Sequence, residues 1–228
     1  TFVQGDAPTS AASTGPTADF FVGGPGNPDH LFQSWWWGRT VGVGTREDAL
    51  ANATSATWTG SRGRLDYSLA STGLQIIQTS RVVGFGSGGA LLENLTVINT
   101  SAQALQLELF HYLDLDLGGT ATGDSAVQSG PNNIRVTDGI WSADYEGSGR
   151  YEVGSFATVR ALRTNTSIDN FSNNGLPFAA GDWTGGFQWT VNLAPGQATT
   201  IGASVTIVPA PAAGMVLALG LLGRRRRA

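Results

Sequence analysis

Between residues 105 and 117 leucine recurs with a period of two: Leu105, Leu107, Leu109, Leu113, Leu115 and Leu117 share one parity, with Gln106, Glu108, Asp114 and Asp116 on the other. Successive side chains of an extended strand point to opposite faces, so this spacing gives one apolar and one polar face. A helix would spread the same leucines around its whole circumference. A long strand is therefore predicted over 104–117, and shorter signals of the same kind surround it. Further strands are predicted at 65–69, 74–85, 91–99, 134–137, 140–145, 151–162, 187–193 and 199–208, each bounded by turn-forming residues. Residues 91–99 and 104–117 read as a hairpin across 100–103. A tight turn at Ala194-Pro195-Gly196-Gln197 joins the last two strands. No stretch longer than ten residues holds a helical period, 47–53 being ambiguous. Antiparallel hairpins in succession predict an all-β chain with an antiparallel β-sandwich or jelly-roll-like body.

Composition divides the chain in three. Residues 1–29 are rich in Ala, Ser, Thr, Gly and Pro and read as a loosely ordered N-terminal segment; residues 30–207 form the sandwich body; residues 208–228 are a tail of different character. There is no cysteine, which removes disulfides, thiolate metal sites and a cysteine nucleophile. All seventeen acidic residues precede Pro209, whereas four of the thirteen arginines follow it. Residues 1–208 thus hold nine arginines against seventeen acids, a net charge of about −8 that argues against nucleic-acid binding. The chain begins at Thr1 without a charged-then-apolar leader, so export would require a signal peptide outside this sequence.

The tail runs Val208, Pro209, Ala210, Pro211, Ala212, then an apolar stretch to Gly223, then Arg224, Arg225, Arg226 and Arg227. As a short hydrophobic helix its dozen apolar residues reach about 18 Å, against about 30 Å of hydrocarbon in a bilayer. That length suits a transient insertion better than a permanent anchor, with the arginine cluster on the cytoplasmic side. This three-part arrangement resembles the PEP-CTERM sorting signals read by exosortase, a membrane protease-transpeptidase, in a Val-Pro-x-Pro-Ala variant whose middle residue is Ala210 where Glu is common. The resemblance implies export across a Gram-negative-type envelope, transient inner-membrane contact, cleavage near Pro209–Pro211, and delivery to the cell surface or the extracellular matrix, often in organisms that make exopolysaccharide. It covers about the last tenth of the chain and implies nothing about the body's activity.

Two groups of residues in the body carry candidate chemistry. Asp114 and Asp116 share the polar face at a strand end, and a Gly-Thr-rich loop could return Asp124 toward them as oxygen ligands for Ca²⁺. A cation would relieve the repulsion between them; the alternative is a solvated strand edge. Trp35, Trp36 and Trp37 cannot all face one way in a strand, so at least one is expected exposed or at an interface, where it could stack on a glycan. His111 lies on the leucine face and reads as a hydrogen-bonded core residue. No Gly-x-Ser-x-Gly elbow, zinc-spaced histidine pair or phosphate loop is present, so no enzyme is expected. Glu93, Glu108 and Asp182 stay open as members of a glycosidase carboxylate pair, which sequence spacing cannot reveal. The expectation is an exported surface or matrix protein with a structural or adhesive role, the alternative being a secreted carbohydrate-binding or carbohydrate-active protein.

Overall fold

The computed structural model describes residues 2–4, 18–43, 46–69 and 72–210. In chain order its strands begin with β1 (Phe2–Gln4), β2 (Ala18–Phe20), β3 (Leu31–Thr40), β4 (Asp48–Ala49), β5 (Ser55–Thr59), β6 (Arg62–Leu69), β7 (Leu74–Phe85) and β8 (Gly88–Asn99). They continue with β9 (Leu105–Leu115), β10 (Asp124–Gly130), β11 (Asn133–Asp138), β12 (Trp141–Gly147) and β13 (Arg150–Ser155). Helix α1 (Phe156–Thr164) follows, and then β14 (Phe178–Gly181), β15 (Trp183–Leu193) and β16 (Ala198–Pro209). A nine-stranded sheet has the order β14-β10-β11-β12-β16-β8-β7-β6-β5, a five-stranded sheet the order β13-β15-β9-β3-β4, and β1 pairs with β2. The named strands pair antiparallel throughout. The sandwich expected from period two is the fold observed.

Its core lies between the two sheets. Leu107, Leu109, Leu113 and Leu115 of β9 share one buried cluster with Leu91, Leu95 and Val97 of β8 and Ala203, Val205 and Ile207 of β16. Each such side chain contributes roughly 1.5–3 kcal/mol when fully buried. Ala18, Phe20 and Val22 belong to the same cluster, so the packed body takes in residues from Ala18 onward, within the segment expected to be loosely ordered. At the other end β16 runs through Val208 to Pro209, which pair with Ser142 and Trp141 of β12. Proline is tolerated there because the ladder ends with it. The predicted C-terminal helix, with Pro211, Ala212 and Arg224 to Arg227, lies outside the described residues. Among the described residues no helix is long and apolar enough to cross a membrane.

Both expected hairpins are crossovers between sheets. β8 pairs with β7 and β16, and β9 with β15 and β3, so residues 100–103 carry the chain from one sheet to the other. Ala194–Gln197 does the same between β15 and β16. The buried Asn99 ties the two crossovers together: its Nδ2 donates to Gln103 O at 2.7 Å and Leu193 O at 3.0 Å, and its backbone bonds both Gln197 and Gly196. The strand predicted over 151–162 stops at Ser155, whose Oγ accepts from Thr158 N and caps α1. Val159 and Arg163, one turn apart, turn inward.

That helix overturns the expectation for the tryptophans. Trp35, Trp36 and Trp37 are 3%, 0% and 0% exposed, so none offers a face to a glycan. Trp36 points between the sheets, 4.7 Å from the His111 ring and 5.6 Å from Trp189. Trp35 and Trp37 point outward into a second core with Phe110, Tyr112, Val159 of α1 and Phe171. The outer face of the five-stranded sheet is thus covered, and the face read as polar in β9 is buried from Glu108 onward.

Polar groups at the centre of the sandwich join the sheets. Glu93 Oε2 accepts from Ser34 Oγ at 2.6 Å and from His111 Nε2 at 2.9 Å; its Oε1 accepts from Gln78 Nε2 at 3.2 Å and Ser80 Oγ at 3.1 Å. His111 Nδ1 lies 2.8 Å from the Tyr145 hydroxyl. Burial alone raises the Glu93 carboxyl, but the hydrogen bonds and charge of His111, with the hydroxyls of Ser34 and Ser80, outweigh it and hold the group below the usual range. A depressed carboxyl stabilises the fold above its unfolded value of about 4.3, and this contribution is lost as pH falls through the folded value. His111→Ala leaves a buried charge short of its main partner and is expected to cost about 3–5 kcal/mol in urea unfolding at pH 7. A loss under about 1 kcal/mol would contradict the role given to this pair.

Candidate functional site

The two ends of β12 carry different chemistry. At the Trp141 end, four strand termini converge with aspartates. β9 supplies Asp114, and Asp116 follows it at the start of a single 3-10 turn over Leu117–Gly119. The β9–β15 register pairs Asp114 with Thr184, which brings Asp182 alongside, and the β10–β14 register sets Asp124 opposite Gly181. One carboxylate oxygen from each of Asp114, Asp116 and Asp182 lies within 4.8 Å of the others. Asp114 and Asp124 are 2% and 0% exposed. Asp114 accepts one bond, from Thr184 Oγ1 at 2.8 Å, while both oxygens of Asp124 are buried without a hydrogen-bond partner.

Among the described residues no arginine comes within the 4.0 Å of an ion pair with these four carboxylates. Arg163, whose charge does reach Asp114, donates to Gln33 Oε1 and lies over the rings of Trp37 and Tyr112. Burial, with the charges of Asp182 and Asp116 and against the Thr184 bond, pushes Asp114 up to about 8. Burial and the charges of Asp138, Asp116, Asp114 and Asp182 push Asp124 up to about 8 as well. Asp116 and Asp182 are raised in the same direction, chiefly by burial. Next to them burial lowers His30 to about 4, and its Nδ1 accepts from Gly118 N at 3.0 Å.

Two of the three residues predicted as calcium ligands, Asp114 and Asp116, are brought together. The third member of the cluster is Asp182 in place of the predicted Asp124, which lies on β10 opposite Gly181 and outside the group of mutually close oxygens, because β15 rather than the Gly-Thr-rich loop runs beside β9. Asp114 is also no solvated edge, being 2% exposed. Asp182 carries no local signal; only the pairing of β15 with β9 places it. Glu93, Glu108 and Asp182 do not pair with one another: Glu93 lies between the sheets, Glu108 is bonded to Gln188 and Thr190, and Asp182 has Asp114 and Asp116 as its carboxylate neighbours.

At the other end of β12, about 20 Å away at 3.3 Å per strand residue, lies an open groove of about 740 Å³. The half-buried Tyr151 supplies an aromatic ring to it above the buried Trp189, with Arg150, Asn173, Gln128 and Ser148 among its polar lining. Ser148 Oγ accepts from Trp189 Nε1 at 3.1 Å, which fixes the indole beside the groove.

No protein-family model matches the chain, and no curated protein matches it. Several solved structures share its architecture. A bacterial glucoamylase complexed with acarbose aligns with a TM-score of 0.56 and 11% identity, over 96% of this chain and 34% of that one. A polysaccharide lyase aligns at 0.52 and 10% identity, over 92% of this chain and 32% of that one. A putative aldose 1-epimerase from Escherichia coli K12 aligns at 0.51 and 11%, over 92% of this chain and all of that one. The chain therefore spans about a third of the glucoamylase and of the lyase. At these identities the likeness shows a shared β-sandwich fold.

The raised aspartates have a consequence for stability. A carboxyl held at about 8 in the fold and near 3.8 when unfolded takes up a proton on folding between those values, so stability falls as pH rises across them. His30, at about 4 against 6.5, acts in the opposite sense below pH 6.5 only. In chelator the urea midpoint is expected to fall steadily from pH 6.5 to 8, and Asp124→Asn should flatten that slope.

Proposed function

We infer that this chain is an exported carbohydrate-binding β-sandwich with a structural or adhesive role at the cell surface or in the extracellular matrix. The groove beside Tyr151 carries the binding part of this reading. A pyranose ring has apolar C–H faces and hydroxyl edges. The ring of the half-buried Tyr151 suits the faces, and the guanidinium and amides of Arg150, Asn173 and Gln128 suit the hydroxyls. The groove lining includes no Asp or Glu, which favours binding over glycoside hydrolysis at this place. Shared fold with proteins named as a glucoamylase, a polysaccharide lyase and an aldose epimerase supports the class of ligand.

Delivery rests on the resemblance of the tail to exosortase signals. In this reading the apolar stretch inserts with Arg224 to Arg227 inside, and the membrane protease cuts beyond Pro209. A cut before Val208 would remove the pairs that Val208 and Pro209 make with β12, whereas one beyond Pro209 leaves the sheet whole. The tail leaves at the Trp141 end of β12, so the groove faces away from the point of attachment.

A glycan array with the full chain is expected to show retention of a polysaccharide class without reducing-end release, and Tyr151→Ala should weaken it about tenfold, the effect of one lost ring stack. Retention unchanged by Tyr151→Ala would refute the groove, and turnover would favour the enzyme alternative. Intact mass of the protein from cells with an active exosortase should give a C-terminus between Pro209 and Ala212. A mature chain that keeps Arg224 to Arg227 would contradict the processing.

A further inference from the structure

We propose that the aspartate cluster at the Trp141 end of the sandwich binds a hard divalent cation, Ca²⁺ in preference to Mg²⁺, through Asp114, Asp116 and Asp182, beside the buried and unpartnered Asp124. The cluster is distant from the groove, so the proposal stands whether or not a glycan binds there. The geometry fits one ion. Calcium holds its oxygen ligands at about 2.3–2.6 Å, so two ligands of the same ion are at most about 5.2 Å apart. The three carboxylates meet that limit, with oxygens within 4.8 Å of one another. Oxygen is the only donor atom they offer, and such a set selects calcium, magnesium or manganese over zinc or copper. His30, on the neighbouring turn, has its Nδ1 engaged by Gly118 N and its ring against Trp141, with Nε2 buried and unpartnered.

A second observation points to a ligand independently of the cluster. Asp124 is wholly buried and neither carboxylate oxygen has a hydrogen-bond partner, an arrangement that folded proteins avoid because nothing offsets the lost hydration. The β10–β14 register sets it opposite Gly181, the neighbour of Asp182 in the chain, and the charges of Asp138, Asp116, Asp114 and Asp182 raise it. Among the described residues Thr184, whose hydroxyl goes to Asp114, supplies the one donor bonded to these four carboxylates, and Arg163 is committed to Gln33 and two rings. A bound cation gives the three clustered carboxylates a partner and offsets the negative charge beside Asp124. The choice of calcium follows from the crowding: converging carboxylates leave little space for the waters that magnesium keeps, whereas calcium accepts six to eight oxygens in irregular geometry.

The full chain, dialysed against chelator, should be titrated with CaCl₂ and separately with MgCl₂ by calorimetry, and melted with and without each ion. One calcium per chain is expected, with binding at least tenfold tighter than magnesium. The melting midpoint should rise by roughly 5–10 °C at a hundredfold excess over Kd. Asp182→Asn should weaken calcium at least tenfold, while Asp144→Asn, on the opposite face of the large sheet beside Arg135, should leave it unchanged. Terbium luminescence excited through the protein's tryptophans, Trp183 among them beside Asp182, gives a readout on the unaltered chain and should be quenched by added calcium. No calcium uptake, equal affinity in Asp182→Asn, or terbium emission indifferent to calcium would each overturn the proposal.

Discussion

Glu93 sits midway between two sheets whose contact is otherwise apolar, and a charge in that position must be matched within a few ångströms or it unfolds the sandwich. Its two oxygens collect donors from both layers: Ser34 and His111 from the five-stranded sheet, Gln78 and Ser80 from its own. Tyr145, from β12, closes the set by bonding His111. Apolar burial supplies most of the driving force but is non-directional and tolerates sliding. These bonds have fixed lengths and angles, so they set how β3 and β9 lie over β7, β8 and β12. In a sandwich with both crossovers gathered at Asn99, such a fixed point at the centre selects one arrangement of the layers.

The aspartates at the Trp141 end pose the same problem and have no such answer inside the protein. Glu93 meets an imidazole, two hydroxyls and an amide; the four aspartates share one threonine hydroxyl. Burial that is outweighed at the centre therefore prevails at the end, and the two sites shift in opposite directions. Protonation relieves the repulsion below about pH 8, and the divalent cation proposed for the cluster would relieve it above that. The acidic surplus of the body is consistent with a protein whose surroundings supply that cation.

The strands were legible in the sequence, their partners were not. Period two in β9 reports which side chains share a face, and that held for every leucine from Leu107 to Leu115. It does not report what covers the other face, so the burial of Phe110 and Tyr112 beneath α1 and Phe171, and of Glu108 and Asp114 on the same face, is invisible to it. Nor does it separate a hairpin from a crossover, since residues 100–103 and Ala194–Gln197 have turn chemistry in either case. Helix α1 did carry a signal, in the cap at Ser155 and the spacing of Val159 and Arg163, but nine residues flanked by strand-formers hid it. Alternation in the tryptophan triplet sends Trp36 to one face and Trp35 and Trp37 to the other but does not say that both faces are covered; two cores bury all three. Asp114 and Asp116 were readable as a site because they are neighbours in one strand. Asp182 entered only through the register of β15.

A crystal structure of the full chain grown with calcium, with an anomalous difference map recorded at long wavelength, reads the acidic end most directly. One peak at 2.3–2.6 Å from oxygens of Asp114, Asp116 and Asp182, the distance calcium keeps, is the result expected. Carboxylates bonded to one another through shared protons, with no peak between them at neutral pH, would show that the buried charge is neutralised from within after all.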